Sequence, residues 1–324
     1  MNGYSEVTRW EVVIAALPSR AEAAAGEQRE LARRAGASLL LPDDDDYPAP
    51  LKAIPAPPPF LLVRGELRKE DALALAIVGS RHATAYGVEV AERLAYDLAA
   101  RGVTIVSGFA RGIDTAAHRG ALAAAGRTIA VLGCGVDVCY PVENRKLIAR
   151  VLERGALISQ FPTGTAAFPG HFPLRNRTIA GLTLGTIVVE AAERSGALIT
   201  AGHAGELGRE VFAVPGAVTS EVSRGANRLI QDGAKLVQRW EDVVAELPEA
   251  WRRCLKEGAD VAPPGPAPTG DEERVLGLVG GEPLHIDQLI ERSGVPSGQT
   301  AALLLSLELK GWVRQLPGQH YTRL

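Results

Sequence analysis

The sequence has no apolar run approaching the roughly 20 residues that a membrane-spanning helix needs, so no membrane association is expected. Its amino-terminal MNGYSEVTRWEVV has no basic segment leading into an apolar core, which leaves no secretory leader to read and predicts a cytoplasmic location. Cysteine is scarce: Cys134, Cys139 and Cys254 form no CxxC and leave an odd thiol, which argues against a disulfide framework and a structural zinc site. His82, His118, His171, His203, His285 and His320 show no HExxH or similar spacing, so no metal is expected. There is no GxxxxGK[ST] for a nucleotide triphosphate, and GCGVDV has Val138 where the third glycine of a dinucleotide loop should stand. No cofactor is expected. Ser107, Asp114 and His118 do not make a hydrolytic triad, because Ser107 lacks the GxSxG elbow and the other two fall one turn apart on one predicted helix. Charge excess is missing as well: at a formal net charge of −3, attraction to a polyanion has to come from a local basic patch.

What is present is length and a strong periodic pattern. At 324 residues the chain accommodates one large core and small satellites. WEVVIAALP and EAAAGEQRELARRAG read as short helices over residues 1 to about 40. LPDDDDYPAPLKAIPAPPPFLLVRGEL, with an acid run and seven prolines, reads as an extended connector whose Phe60–Val63 forms an edge strand. From Leu73 to about Leu247, near-continuous apolar runs alternate with helical segments, the pattern of a doubly wound α/β sheet covered on both faces. Gly102, Gly126, Gly155, Gly208 and Gly233 close the predicted helices. GADVAPPGPAPTG, residues 258–270, reads as a linker. The last stretch reads as three helices and a hairpin built from Trp312–Arg314 and His320–Thr322, a winged-helix pattern. Its second motif helix, QTAALLLSLELKG, carries one lysine, which suits protein contact or packing better than reading the major groove.

Ligands of open α/β sheets bind outside the carboxyl ends of the strands. There, Gly79, Ser80 and Arg81 offer backbone N–H groups and a guanidinium to a phosphate. Lys146 in ENRK, and Arg175 and Arg177 in RNR, are predicted on loops or helix starts at the same edge, and a basic cluster calls for an anion. Phe109, Tyr140, Phe161, Phe168 and Phe172 are the aromatics near these strand ends, candidates either for stacking on bases or for filling the core. Glu190, ending GTIVVE, is the carboxylate that a nucleotide-cleaving or glycosyl-transferring enzyme would use.

IVGSRHATAYG, IVSGFARGIDTAAH, TIAVLGCGVDVCYPVENRKL, GALISQFP, FPLRNRTIAGL, ERSGALITAGHA, REVFAVPG and SRGANRLIQDGA, in this order over residues 60 to 240, resemble the bacterial DNA-processing protein A family (DprA, also called Smf). Gln160 stands where that family often has an acid. The resemblance implies an extended Rossmann-like core, without enzymatic activity, that binds single-stranded DNA, protects incoming strands and loads RecA during natural transformation and recombination. It implies a homodimer through the core; the dimer surface itself is not given by the sequence, and exposed apolar positions of the late core helices around Ala226–Gly233 are a candidate read from the residues alone. RecA is an expected partner, and single-strand binding protein a further candidate. Arg81 and Lys146 become strand contacts by resemblance, with Arg175, Asn176 and Arg177 beside the same pocket. Together with the glycine turns, the expected set is Gly79, Ser80, Arg81, Ser107, Gly108, Gly112, Asn144, Lys146, Arg175, Asn176 and Arg177. The expected domains are a small helical domain over 1–45, sterile-alpha-motif-like or helix–hairpin–helix-like, the core over 46–257, the linker over 258–270 and a winged helix over 271–324.

Two other readings stand beside this one. A phosphoribohydrolase-like enzyme on a related core would use Glu190, but RTIAGLTL precedes GTIVVE without the Pro-Gly-Gly that such enzymes carry. A duplex-DNA regulator would act through the winged helix.

Overall fold

The computed structural model describes residues 13, 25–256, 268, 270–280, 283–316 and 318–323. All of WEVVIAALP except Val13, and nearly all of the expected linker, lie outside them. Contacts divide the chain into two compact units, Met1–Gly258 and Ala259–Leu324.

In the first unit, helix α1 (Ala25–Ala35) leads into strand β1 (Ala37–Leu40), and β2 (Leu61–Gly65) follows the proline-rich connector. The alternating region then runs β3 (Ala74–Gly79), α2 (Ala85–Ala100), β4 (Thr104–Ser107), α3 (Ile113–Ala123), β5 (Thr128–Leu132), α4 (Arg145–Arg154) and β6 (Ala156–Ser159). It continues with α5 (His171–Leu182), β7 (Gly185–Val189), α6 (Gly196–Glu206), β8 (Glu210–Ala213), α7 (Arg224–Gln231) and β9 (Lys235–Leu236). These strands form one sheet in the order β1-β2-β6-β5-β4-β3-β7-β8-β9. From β6 to β9 across the sheet all pairs are parallel, while β2 is antiparallel to both β6 and β1.

Burial on both faces explains the continuous apolar runs. In β3, Ala74, Ala76 and Val78 pack toward Ile179 and Leu182 of α5 and Ala197 and Ala201 of α6. Leu75 and Ile77 pack on the other face with Leu94 and Leu98 of α2 and Ile113 and Ala117 of α3. Every side chain of the strand is thus committed to core, and function falls to the loops at its end.

The strand expected at an edge over Phe60–Val63 runs over Leu61–Gly65 and is interior, because Ala37–Leu40, in the segment read as helical, pairs with it through Ala37–Arg64 to Leu40–Leu61. The helix expected to open at RNR begins earlier, at His171, which puts Arg175 and Arg177 inside it. Gly102, Gly208 and Gly233 adopt the left-handed conformation of a helix end, with φ of 87°, 65° and 106°. At α3 that conformation falls on Ala125, φ 52°, instead of Gly126, and Gly155 is extended at φ −173°.

The second unit contains helices α8 (Asp271–Leu276), α9 (Ile286–Ser293) and α10 (Ser297–Leu309) and a three-stranded sheet, β10 (Leu284–His285), β11 (Val313–Leu316) and β12 (His320–Arg323), ordered β10-β12-β11. The lysine after α10, Lys310, donates to both carboxylate oxygens of Glu272, at 2.7 and 2.6 Å, and Glu272 is 5% exposed. It is spent inside the unit, and α10 presents Ser297, Gly298, Ala301, Ala302 and Leu305 to solvent. No helix among the described residues is long and apolar enough to cross a membrane. Among them no group of three or more His, Cys, Asp or Glu is placed to hold a metal.

Candidate nucleic-acid interface

β3 pairs with β4 on one side and β7 on the other, so the direction of winding reverses between β3 and β7, where an open α/β sheet usually receives its ligand. Here that crevice is closed by the protein itself. Glu190, at φ 52° after β7 and 5% exposed, accepts hydrogen bonds from the Thr84 N–H (2.9 Å) and the Thr84 hydroxyl (2.5 Å). Thr84 is the N-cap of α2 and accepts from the Gly87 N–H at 3.2 Å. The carboxylate therefore occupies the helix terminus that the sequence suggested for a phosphate. The acid on which a nucleotide-cleaving mechanism would rest is spent holding the capping residue of a helix. Glu190→Gln keeps one acceptor but loses the charge and turns an amide toward N–H donors. We expect it to lower stability by about 1–2 kcal/mol in urea denaturation and to leave any nucleic-acid affinity unchanged.

An open pocket lies one strand away, over the ends of β3, β4 and β5. Arg81, Gly108, Ala110, Arg111, Gly133, Tyr140, Pro141, Phe172 and Arg175 line it. Arg81 is exposed, has no salt-bridge partner among the described residues, and lies over the Phe172 ring at 4.9 Å from its centroid. Tyr140 and Phe172 face each other at 5.9 Å, with Tyr140 42% exposed. A β-carbon at Gly133 would stand 2.7 Å from the Phe172 ring, so that glycine lets the aromatic lie against the strand end. The pocket thus joins an exposed guanidinium to two aromatic rings.

Arg175 forms its floor and is 3% exposed. Its Nη1 donates to the Val131 carbonyl at 3.1 Å, and Nε has no partner. Its guanidinium packs so closely on Gly108 that a β-carbon there would meet Nη1 at 1.6 Å and Asp114 Oδ2 at 2.7 Å. Burial pulls the Arg175 pKa down to about 10 against the pull of Asp114, and burial likewise raises Asp114 above the usual carboxylate range despite Arg175. Beneath them His118 is fully buried, and burial holds it at about 3. Thr128 Oγ1 donates to the Ile105 carbonyl at 2.7 Å, so it accepts from Nδ1–H of a neutral His118 at 2.7 Å. Arg175 remains charged over this floor at neutral pH.

The expected site residues divide into contacts and supports. Ser107 donates to the Ile77 carbonyl at 2.6 Å, and Asn144 holds Phe109 O and Thr115 Oγ1 at 2.9 Å each. Gly112, at φ 72°, packs on the Ser80 carbonyl, while the Ser80 N–H donates to the Glu190 carbonyl at 2.7 Å. Phe109, at φ 60°, is held in a conformation unfavourable for a bulky residue and 1% exposed. These groups fix loops and leave little to offer a ligand. Asn176 donates to the Gly196 carbonyl at 3.2 Å, and Arg177 donates to the Pro55 carbonyl; neither lines the pocket. Lys146 is exposed on the first turn of α4, without an acidic partner among the described residues. Of the aromatics, Phe161 is 8% exposed and stacks on His171, leaving Tyr140 and Phe172 in the pocket. Arg111 is the lining cation absent from the expected set. Its signal was present in GFARGID, at the same strand end as Ser107 and Gly108.

The family model for DNA recombination-mediator protein A matches residues 38–248, and the DprA winged helix domain model matches residues 259–319. Protein Smf of Escherichia coli K12 is 42% identical over 296 residues, covering 88% of this chain and 77% of that protein. The X-ray structure of DNA processing protein A from Streptococcus pneumoniae superposes with a TM-score of 0.62 at 43% identity, over 65% of this chain and 75% of that one. DNA processing protein A from Helicobacter pylori, whose structure is described as giving insight into its single-stranded DNA binding mode, superposes at 0.58 with 29% identity, over 64% and 93% of the two chains. With its parallel core and its carboxyl-terminal winged unit both matched, the chain belongs to the DNA recombination-mediator protein A family.

Proposed function

We propose that this protein binds single-stranded DNA across the ends of β3, β4 and β5 and, without catalysing a reaction, serves recombination by protecting the strand and delivering it to RecA during natural transformation. The observation that carries the reading is Arg81, unpaired and stacked over Phe172 beside Tyr140. A guanidinium for the backbone and ring faces for the bases suit a flexible strand read without sequence preference. Arg175 in the pocket floor adds charge there, and Lys146, exposed on the first turn of α4 outside the pocket lining, is assigned to the same strand by the resemblance of its segment. Gly79, Ser80, Ser107, Gly108, Gly112 and Asn144 support the loops. Asn176 and Arg177 support α5.

A cytoplasmic homodimer fits this use. β9 is a two-residue edge strand with Leu236 41% exposed, next to α7 in the segment expected to pair. RecA is the expected partner, with single-strand binding protein a second. The winged unit, whose second motif helix presents no cation in Ser297–Leu309, is assigned to protein contact.

The test is fluorescence anisotropy of a labelled dT oligonucleotide across a salt series, with a duplex of equal length as competitor. Binding should favour the single strand, and log K should fall with log salt at a slope of about −0.7 per phosphate contact, near −2 for a three-cation site. No binding at low salt would overturn the proposal.

A further inference from the structure

The three guanidinium groups of the pocket are in different states. Arg81 is exposed and has no salt-bridge partner among the described residues, and Arg175 is buried in the floor. Arg111 is tied: Nη2 and Nε both donate to Glu143 Oε1, at 2.5 and 3.2 Å. The tie spans two loops, because Arg111 follows β4 and Glu143 lies in the short 3-10 turn Val142–Asn144 that follows β5. Both partners are well exposed, with side chains 57% and 60% accessible. An ion pair in that much water is weak, so an anion of better geometry can take the guanidinium. A phosphate provides that geometry, since an arginine fork can bind two of its oxygens whereas both donors here converge on one carboxylate oxygen.

We propose that Arg111 is a further DNA-backbone contact held in reserve by Glu143, and that its guanidinium exchanges the carboxylate for a phosphate as the strand enters. The inference rests on reading the pocket as a single-stranded DNA site. Until a phosphate reaches Arg111, the pair keeps one of the pocket's cations neutralised. An anion that touches only the rim gains little from it. A strand seated on Arg81 is placed to compete for it.

The experiment measures dT-oligonucleotide affinity for the wild type, Glu143→Gln, Arg111→Ala and the double variant, with Arg81→Ala as the control on the pocket. Glu143→Gln should bind about three- to tenfold tighter and steepen the salt slope by up to about 0.7, because Arg111 is no longer committed. Arg111→Ala should weaken the wild type by about two- to threefold, and the Glu143→Gln protein by about tenfold. The gain from Glu143→Gln should then disappear in the Arg111→Ala background. An equal gain in both backgrounds would make Glu143 a nearby negative charge and overturn the exchange, as would no gain in either. If Arg81→Ala left binding intact, the pocket reading itself would fall. Loss with Arg81→Ala but no effect of Glu143→Gln would remove only the role of Arg111.

Discussion

Replacing Arg81 and Lys146 together with alanine should weaken binding of a dT oligonucleotide about 100-fold at low salt. Each is an exposed cation at the ends of the parallel strands, and neither has a salt-bridge partner among the described residues; Arg81 helps hold down the carboxyl of buried Asp114, but Arg175 does so more strongly and remains in the variant. A charge-assisted hydrogen bond to phosphate contributes about 1.5 kcal/mol or more, and about 1.4 kcal/mol is tenfold in affinity. Two contacts therefore give about two orders of magnitude. The salt slope should flatten by about 1.4, since two fewer phosphates release their counterions. Anisotropy across a salt series reads both quantities, and thermal melting should show the variant folded at the wild-type temperature. An affinity loss with an unchanged slope would point to lost shape instead of lost charge, and would move the strand away from these residues.

Gly79→Ala should be among the most destabilising single methyl additions in the protein, at about 3–4 kcal/mol and a melting temperature lower by about 10 °C. The added carbon would sit 1.8 Å from the Val189 carbonyl and 2.6 Å from Ile113 Cγ1. Val189 is the residue paired with Gly79 across the β3–β7 ladder and is fully buried, so relief requires a shift of backbone in the middle of the sheet. The same displacement would move Ser80, whose N–H is bonded to the Glu190 carbonyl, and with it Arg81. Strand affinity should fall alongside stability. Gly202→Ala, on α6 with nothing within 4 Å of the new methyl, is the control and should stabilise by up to about 1 kcal/mol. Urea denaturation distinguishes the two, and a Gly79→Ala protein with wild-type stability would contradict the close pairing of these strand ends.

The two predictions show what was legible in the residues. Gly79, Ser80 and Arg81 stood out together as a phosphate turn, yet the structure separates them by task. Gly79 closes the sheet, Ser80 is tied to Glu190 by its backbone, and Arg81 alone projects over Phe172. RNR read as one basic segment, but a helix distributes successive residues by about 100° each. Arg175 enters the floor, Asn176 reaches Gly196 and Arg177 reaches Pro55. Glu190 looked chemical because it ends a strand beside a glycine turn. Only the neighbourhood of Thr84, distant in sequence, reveals it as the acceptor that holds a helix cap.

By itself the sequence determined the alternating strands and helices from Leu73 onward, because a strand buried on both faces must be apolar at every position and the intervening helices must end where the chain turns. It also determined that charge collects at the strand ends, since the strands had no room for it. Tertiary structure decided the rest. Ala37–Leu40 became a strand only because Leu61–Gly65 offered an open edge, a partner that four residues cannot specify alone. It also decided which cations face solvent, and it filled the crevice between β3 and β7 with Glu190. That left the pocket over β3, β4 and β5, because where a charged side chain ends up depends on partners folded against it from far along the chain.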